Sequence, residues 1–68
     1  MFVTVNGKPR EVPAGATVRS LVDALPGAPE GRGVAVALEG EVVPRTVWPS
    51  TELVEGAHIE VVVAVQGG

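Results

Sequence analysis

The sequence predicts a small α+β domain: a mixed sheet of four to five strands with one main helix packed across it. Three observations lead to this fold class. Valine is the most frequent residue, and β-branched side chains favour strands. Short apolar segments alternate with turn-forming pairs that contain glycine. One segment carries the apolar spacing of a helix. With 68 residues, the chain has room for one domain.

The N-terminal segment predicts a β-hairpin. Phe2 to Val5 is rich in β-forming residues, and the Asn6-Gly7 pair after it tolerates the positive φ angles that a type I′ turn requires. The segment from Lys8 to Val12 then returns as the second strand. Pro9 has no backbone N–H to donate, which places this strand at an edge of the sheet.

The main helix is expected to begin after Thr17, whose hydroxyl can accept a backbone N–H of the first turn. Apolar residues then recur at i, i+3, i+4 and i+7 over a helix of about eight or nine residues. This stripe consists of Val18, Leu21, Val22 and Leu25. Pro26-Gly27 ends the helix. Because so short a helix is marginal alone, we expect its stripe to pack on the sheet.

The middle of the chain predicts a third strand at Val34 to Leu38, followed by a turn at Glu39-Gly40. The segment from Glu41 to Val43 either pairs back on that strand or continues the sheet. One turn of 3₁₀ helix is expected near Ser50 to Leu53. These assignments leave Pro26 to Gly33 as a loop rich in proline and glycine.

The last and longest strand is predicted from His58 to Val65, after a turn at Glu55-Gly56. The order is therefore ββαβ(β)β, with a long final strand and an N-terminal hairpin. This is the plan of the β-grasp (ubiquitin-like) fold, although other small α+β folds share the same elements. We assign residues 1–65 to the β-grasp domain and residues 66–68 to a flexible C-terminal Gly-Gly tail.

Composition and charge exclude several functional classes. Five basic residues scattered along a chain of net charge −3 do not form the basic face of a nucleic-acid-binding protein. The absence of cysteine excludes a disulfide framework, a zinc knuckle and a thiol nucleophile. No segment resembles a secretory signal or a membrane span, so we expect a cytoplasmic protein without a membrane partner.

The side chains do not suggest a catalytic or metal-binding set. The acidic residues are dispersed over helix, turns and loops, a spacing that does not favour paired carboxylates. We interpret His58, on the same strand face as Glu60, as a solvated surface histidine. Arg45 is interpreted as structural, and Trp48 as a cap on one end of the core with its indole N–H bonded to backbone. We therefore expect that the chain is not an enzyme and that it binds neither a metal nor a cofactor.

The most specific pattern is a V-P-R-x-x-W segment, Val43 to Trp48, combined with the terminal Gly67-Gly68 pair. Together they resemble the sulfur carrier of thiamine biosynthesis, the ThiS family. Three further segments are similar to that family: the helix entry at residues 15–21, the strand at residues 34–38, and the turn into the last strand at residues 56–61. The resemblance covers essentially the whole chain and departs from the family pattern in the loop at residues 26–33.

The resemblance implies that the working group is the C-terminal carboxylate of Gly68. An E1-like adenylating enzyme would use ATP to form an acyl-adenylate there, and a sulfur donor, a cysteine desulfurase or similar, would convert it to a thiocarboxylate for a thiazole synthase. Gln66 and Gly67 would thread the partner's channel, and the absence of Cβ at Gly67 and Gly68 permits close approach of the backbone. If the tail leaves the sheet near Ala64, residues 65–68 reach about 13–14 Å.

Other functions stay open at this point. The molybdopterin-synthase small subunit is a related carrier with the same tail, although we expect it to be longer and to lack Pro-Arg before a tryptophan. A ubiquitin-like modifier attached to target lysines is a further alternative. A plain β-grasp interaction module with an incidental tail is the third, because a terminal glycine pair also occurs as a frayed chain end.

Strand alternation predicts a docking surface for partners. In the last strand, Ile59, Val61, Val63 and Val65 form the inner set, and His58, Glu60, Val62 and Ala64 the outer one. In the third strand, Val34, Val36 and Leu38 are expected to face the core. The outward residues predict a smooth apolar patch, with Phe2 at its border. This patch comprises Ala35, Ala37, Val62 and Ala64.

Overall fold

The computed structural model describes residues 1–25 and 33–63. Seven elements follow one another in these residues: β1 (Phe2–Val5), β2 (Lys8–Glu11), α1 (Val18–Ala24), β3 (Val34–Leu38), β4 (Glu41–Val42), a 3₁₀ helix (Arg45–Ser50) and β5 (His58–Val63). The predicted β3 matches residue for residue. The predicted ends of β5 at residues 64–65 and of the helix at Pro26-Gly27 lie outside the described residues.

The five strands form one mixed sheet in the order β2-β1-β5-β3-β4. β1 and β5 are parallel, and the other neighbouring pairs are antiparallel. Two hairpins thus flank the last strand, which lies at the centre of the sheet. With α1 packed across one face, this arrangement is the β-grasp fold that the sequence predicts. Of the two alternatives for residues 41–43, pairing back on β3 is the observed one.

The first hairpin turns as predicted, because Asn6 and Gly7 both have positive φ angles, 52° and 82°. Met1 and Val12 exchange two backbone hydrogen bonds, N to O at 2.9 Å and 2.8 Å, so even-numbered residues of β2 face β1. Pro9 therefore faces the open edge of the sheet. The edge strand lacks a donor at that position, which hinders pairing with another strand.

Helix α1 begins with a capping box at Thr17. The Thr17 hydroxyl accepts the backbone N–H of Ser20 at 3.1 Å, and the Ser20 hydroxyl accepts the N–H of Thr17 at 2.9 Å. The helix has seven residues, slightly fewer than predicted. Leu25 leaves it in an extended conformation with ψ 135°, the geometry favoured before a proline.

The core lies between α1 and the inner face of the sheet. The helix contributes the first three residues of its predicted stripe, and Leu25, the fourth, is a C-cap residue partly buried against the core. The sheet contributes alternate residues of β1, β3 and β5. Buried residues on these elements are Val3, Val18, Leu21, Val22, Val36, Ile59 and Val61. Val63 was expected to face the core but is 43% exposed. It lies beyond the end of β1, whose last residue, Val5, pairs with Ile59.

The 3₁₀ helix covers Arg45–Ser50, so the prediction of a 3₁₀ turn near Ser50 to Leu53 is wrong. Residues 51–53 lie alongside the entry to α1. Val18 N–H donates to the Thr51 carbonyl at 2.9 Å, and Leu53 N–H donates to the Ala16 carbonyl at 2.8 Å. These bonds require an extended segment, so the helical turn occurs earlier in the chain.

Candidate functional site

The outer face of the sheet, away from α1, carries the predicted apolar residues. Ala35 of β3 lies directly opposite Val62 of β5, and both are exposed, Val62 at 64%. Ala37, two residues along β3, lies on the same face opposite Glu60. β3 and β5 are therefore neighbours, as the predicted patch requires. The residue opposite Ala37 is the charged Glu60, so the apolar surface does not continue on β5 at this position.

Val42 extends this patch and was not identified from the sequence. It pairs with Ala37 across β3 and β4 and is 77% exposed. The sequence contains the information needed to predict this contact, because a two-residue turn at Glu39-Gly40 fixes the register that places residue 42 opposite residue 37. We call the surface formed by Ala35, Ala37, Val42 and Val62 the outer patch.

Phe2 does not border the outer patch, which corrects the sequence-based placement. The Phe2 carbonyl accepts the Gly56 N–H at 2.8 Å, and its N–H donates to the Glu55 carboxylate at 3.2–3.3 Å. Because β1 and β5 are parallel, Phe2 is level with residue 56, six residues before Val62. At about 3.3 Å per residue this is a separation of roughly 20 Å along the strand. Phe2 is 53% exposed at the opposite end of the sheet.

The remaining site residues expected from the sequence lie outside the described residues. These are Ala64, Gln66, Gly67 and Gly68. The described part of β5 ends at Val63, five residues before Gly68. β5 is the central strand and Val62 its last residue on the outer face. The described part of the chain thus ends one residue after Val62, at the end of the outer patch.

The V-P-R-x-x-W segment has a structural role in this fold. Trp48 is 1% exposed, and its indole Nε1 donates to the Val43 carbonyl at 2.9 Å, as predicted. The Arg45 guanidinium lies 5.8 Å from the centroid of the indole ring, within the range of a cation–π contact. The segment folds back on itself and closes one end of the core.

The described residues do not assemble a catalytic centre. His58 Nδ1 lies 3.5 Å from Glu39 Oε1, and Thr4 neighbours His58 on β1, a combination that would suit a nucleophile with its base. However, the His58 and Glu39 side chains are 70% and 59% exposed, and no hydrogen bond joins Thr4 to His58. Thr4 is half-buried, and its hydroxyl without an activating base is a weak nucleophile.

The described residues also form a groove between β2 and α1. This groove of about 210 Å³ has Arg10, Glu11 and Ser20 as its polar side chains. Arg10 donates to the Ala24 carbonyl at 3.5 Å, and the Ser20 hydroxyl accepts the Thr17 N–H at 2.9 Å, so both of these side chains already have partners. Within residues 1–25 and 33–63, no three metal-ligating side chains are grouped. None of the helices described is long and apolar enough to cross a membrane.

The fold and the site together define a class of protein: a β-grasp domain of the ubiquitin-like type with exposed apolar residues on the outer face of its sheet. The chain belongs to the ThiS family, which matches residues 3–68. This confirms the family resemblance seen in the sequence.

Solved structures agree with this assignment. The crystal structure of the thiamine biosynthesis protein ThiS from Geobacter metallireducens is 36% identical, with each chain covered over 100% of its length and a TM-score of 0.81. A solution structure of a thiamine biosynthesis protein from the same organism is also 36% identical, with a TM-score of 0.79, and 100% of this chain matches 88% of that one. No curated protein matches the chain.

Proposed function

We propose that this chain is the sulfur carrier protein of thiamine biosynthesis and that it carries sulfur as a thiocarboxylate on Gly68. The observation that carries the proposal is membership of the ThiS family over residues 3–68, a match that includes the terminal Gly67-Gly68 pair. On this proposal the chain is a covalent co-substrate of other enzymes and not itself a catalyst.

The chemistry has two steps. A carboxylate is a poor electrophile, because its charge repels nucleophiles and oxide is a poor leaving group. Attack of a Gly68 carboxylate oxygen on the α-phosphorus of ATP releases pyrophosphate and gives an acyl-adenylate. Hydrosulfide then attacks the acyl carbon and expels AMP, which leaves the thiocarboxylate. Where the sulfur comes as a cysteine persulfide of a donor protein such as a cysteine desulfurase, the same attack gives an acyl disulfide, and a thiol must reduce its S–S bond to release the thiocarboxylate. The terminal sulfur is an anionic nucleophile near neutral pH, by the same reasoning that applies to a thiolate.

The outer patch is proposed as the docking surface for the E1-like adenylating enzyme and the thiazole synthase. Val62 and Ala35 are apolar, adjacent and exposed, and removing their surface from water on docking is favourable. Ala64 is proposed to extend this surface toward the tail. Phe2, about 20 Å away along the strand, is proposed as a separate contact for a partner that covers the length of the sheet.

The experiment is a thiocarboxylation assay on the chain with its native C-terminus. The chain is incubated with the E1-like enzyme from the same source, ATP and sulfide, and intact mass is measured. Replacement of oxygen by sulfur adds roughly 16 Da. Because oxidation of Met1 adds nearly the same mass, the change must be localised to the C-terminal peptide.

The expected result is an ATP-dependent gain on Gly68 that is absent when Gly68 is deleted. Thermal unfolding of the deletion variant should match that of the unmodified chain, since terminal residues contribute little to folding. Val62→Asp should raise the KM of the chain as a substrate without unfolding it, because a charge would have to be desolvated on docking. No mass gain with a demonstrably active enzyme would refute the carrier function. Transfer of the sulfur to a molybdopterin precursor instead of thiazole would refute the thiamine pathway.

A further inference from the structure

β5 extends past its neighbour β1, and a side chain fills the gap. β1 ends at Val5, which pairs with Ile59, whereas β5 continues to Val63. The chain leaves the sheet at Asn6-Gly7 to form the hairpin. The Asn6 amide lies where the next residue of β1 would be: its Oδ1 accepts the Val61 N–H at 2.8 Å, and its Nδ2 donates to the Val61 carbonyl at 3.0 Å.

These two bonds continue the backbone ladder by one step. The carbonyls of Ala57 and Ile59 accept the backbone N–H groups of Thr4 and Asn6 at 2.8 Å and 2.9 Å. Val61 is the next residue of β5 whose backbone groups face β1. The Asn6 side chain imitates a peptide group, with one donor and one acceptor, and satisfies both backbone groups of Val61.

The turn and the amide impose two requirements on residue 6. Its φ of 52° is in the left-handed region, which glycine, asparagine and aspartate adopt most readily. Of these three, only asparagine also carries both a donor and an acceptor, since aspartate is an acceptor alone when ionised. Glycine would suffice for the turn, so the identity of residue 6 is explained by the contact with β5.

We infer that Asn6 is a positioning residue for the C-terminal segment. The inference rests on the proposed function, in which Gly68 must enter a partner's site while the body of the domain docks outside it. Asn6 holds Val61, which precedes the last outer-patch residue Val62 and lies seven residues before Gly68. By fixing the end of β5, it fixes the direction in which the chain leaves the domain relative to the docked surface.

A matched control exists at the other end of β5. Glu39 also has a positive φ, 49°, in the two-residue turn of the second hairpin. Its Oε2 accepts the His58 N–H at 2.8 Å, so it too bonds β5 from a turn. His58 is the first residue of β5, at the opposite end of the strand from Val63. Removal of the Glu39 side chain should destabilise the sheet without altering where the chain exits.

The test compares Asn6→Gly, Asn6→Asp and Glu39→Gly with the unmodified chain. Glycine and aspartate at residue 6 both permit the turn, but neither satisfies both backbone groups of Val61. Hydrogen exchange of the Val61 amide is measured on the carrier alone. The kcat and KM of ATP-dependent thiocarboxylation are measured with the carrier as the varied substrate, well below the unfolding midpoint of every variant.

The expected result for Asn6→Gly is Val61 exchange about tenfold faster, since the amide has lost its acceptor. Asn6→Asp keeps an acceptor but sets a carboxylate oxygen against the Val61 carbonyl. For both variants we expect kcat to fall about tenfold to a hundredfold, because misplacement of the reacting group by about 1 Å has effects of that size. KM should stay within about twofold, since the docking surface is intact. Glu39→Gly should leave both Val61 exchange and kcat unchanged.

Two kinetic results would overturn the inference: Asn6 variants with the kcat of the unmodified chain, or an equal loss of kcat in Glu39→Gly. Exchange at Val61 needs no partner enzyme, so it decides whether Asn6 holds the end of β5 even if the unmodified chain gains no sulfur. Unchanged exchange in Asn6→Gly would overturn the inference, whereas absence of sulfur on the unmodified chain would refute the proposed function.

Discussion

Substitution of Trp48 tests whether the 3₁₀ helix closes the core. The side chain is 1% exposed, and its Nε1 donates to the Val43 carbonyl at 2.9 Å. The segment that carries it contributes no other buried residue, since the structure shows Trp48 alone buried within Arg45–Ser50. If this indole anchors the segment, removing it should destabilise the whole domain.

The expected magnitude follows from these contacts. Truncation of a buried tryptophan to alanine costs about 3–5 kcal/mol. Trp48→Phe retains an aromatic ring but leaves the Val43 carbonyl without its partner, which costs about 1–3 kcal/mol. A domain of 68 residues has a total stability of roughly 3–10 kcal/mol. Trp48→Ala should therefore remove a large part of the free energy of unfolding, whereas the Trp48→Phe variant should stay folded at 25 °C.

The assay is urea unfolding followed by far-UV circular dichroism, because the variants lack the chain's one tryptophan and its fluorescence. Val47→Ala is the matched control: Val47 lies in the same 3₁₀ helix but is 41% exposed, and we expect a change within about 0.5 kcal/mol. A loss below about 1 kcal/mol for Trp48→Ala would refute the reasoning, because that value is typical of a surface site.

Two further substitutions test local features of the fold. Thr17→Ala removes the acceptor of the Ser20 N–H and should lower the free energy of unfolding by about 1 kcal/mol in the same urea assay; no change would show that α1 does not depend on its capping box. Gly7→Ala places a Cβ at a φ of +82° with no atom within 4 Å, so only backbone strain of about 1–2 kcal/mol should appear, and a larger loss would indicate a steric clash that the structure does not contain.

The sequence predicted the elements whose signals are local. Asn6-Gly7 and Glu39-Gly40 set both hairpins through the φ preferences of their residues, and both turns are confirmed by positive φ angles. The stripe on α1 and the alternation on β3 follow from the periods of helix and strand, so their buried faces were predictable as well. The family resemblance rested on the V-P-R-x-x-W segment and the glycine pair, and it too is confirmed.

The features that the sequence did not predict depend on contacts between distant segments. Residues 51–53 are extended because they bond to residues 16–18, a partner that no local pattern reveals. The prediction that Phe2 borders the outer patch was wrong. The position of Phe2 along β5 depends on the parallel register of β1 and β5, and a hairpin turn does not fix that register. In the sequence, Asn6 likewise indicates only a turn. The hydrogen bonds of its side-chain amide to β5 depend on Val61, which is 55 residues away.

The outer patch differs from what folding alone would select. The inner positions of β3 are valine or leucine, and the two outer positions between them are alanine. Alanine is depleted in strands, and an exposed sheet position in a valine-rich chain would be more stable with a β-branched or polar residue. Small apolar side chains at Ala35 and Ala37 instead give a smooth surface that a partner can approach closely. Ala35 and Ala37 therefore have lower strand propensity than valine would have at positions that contribute little to the core, a choice that the proposed docking role of the outer patch would explain.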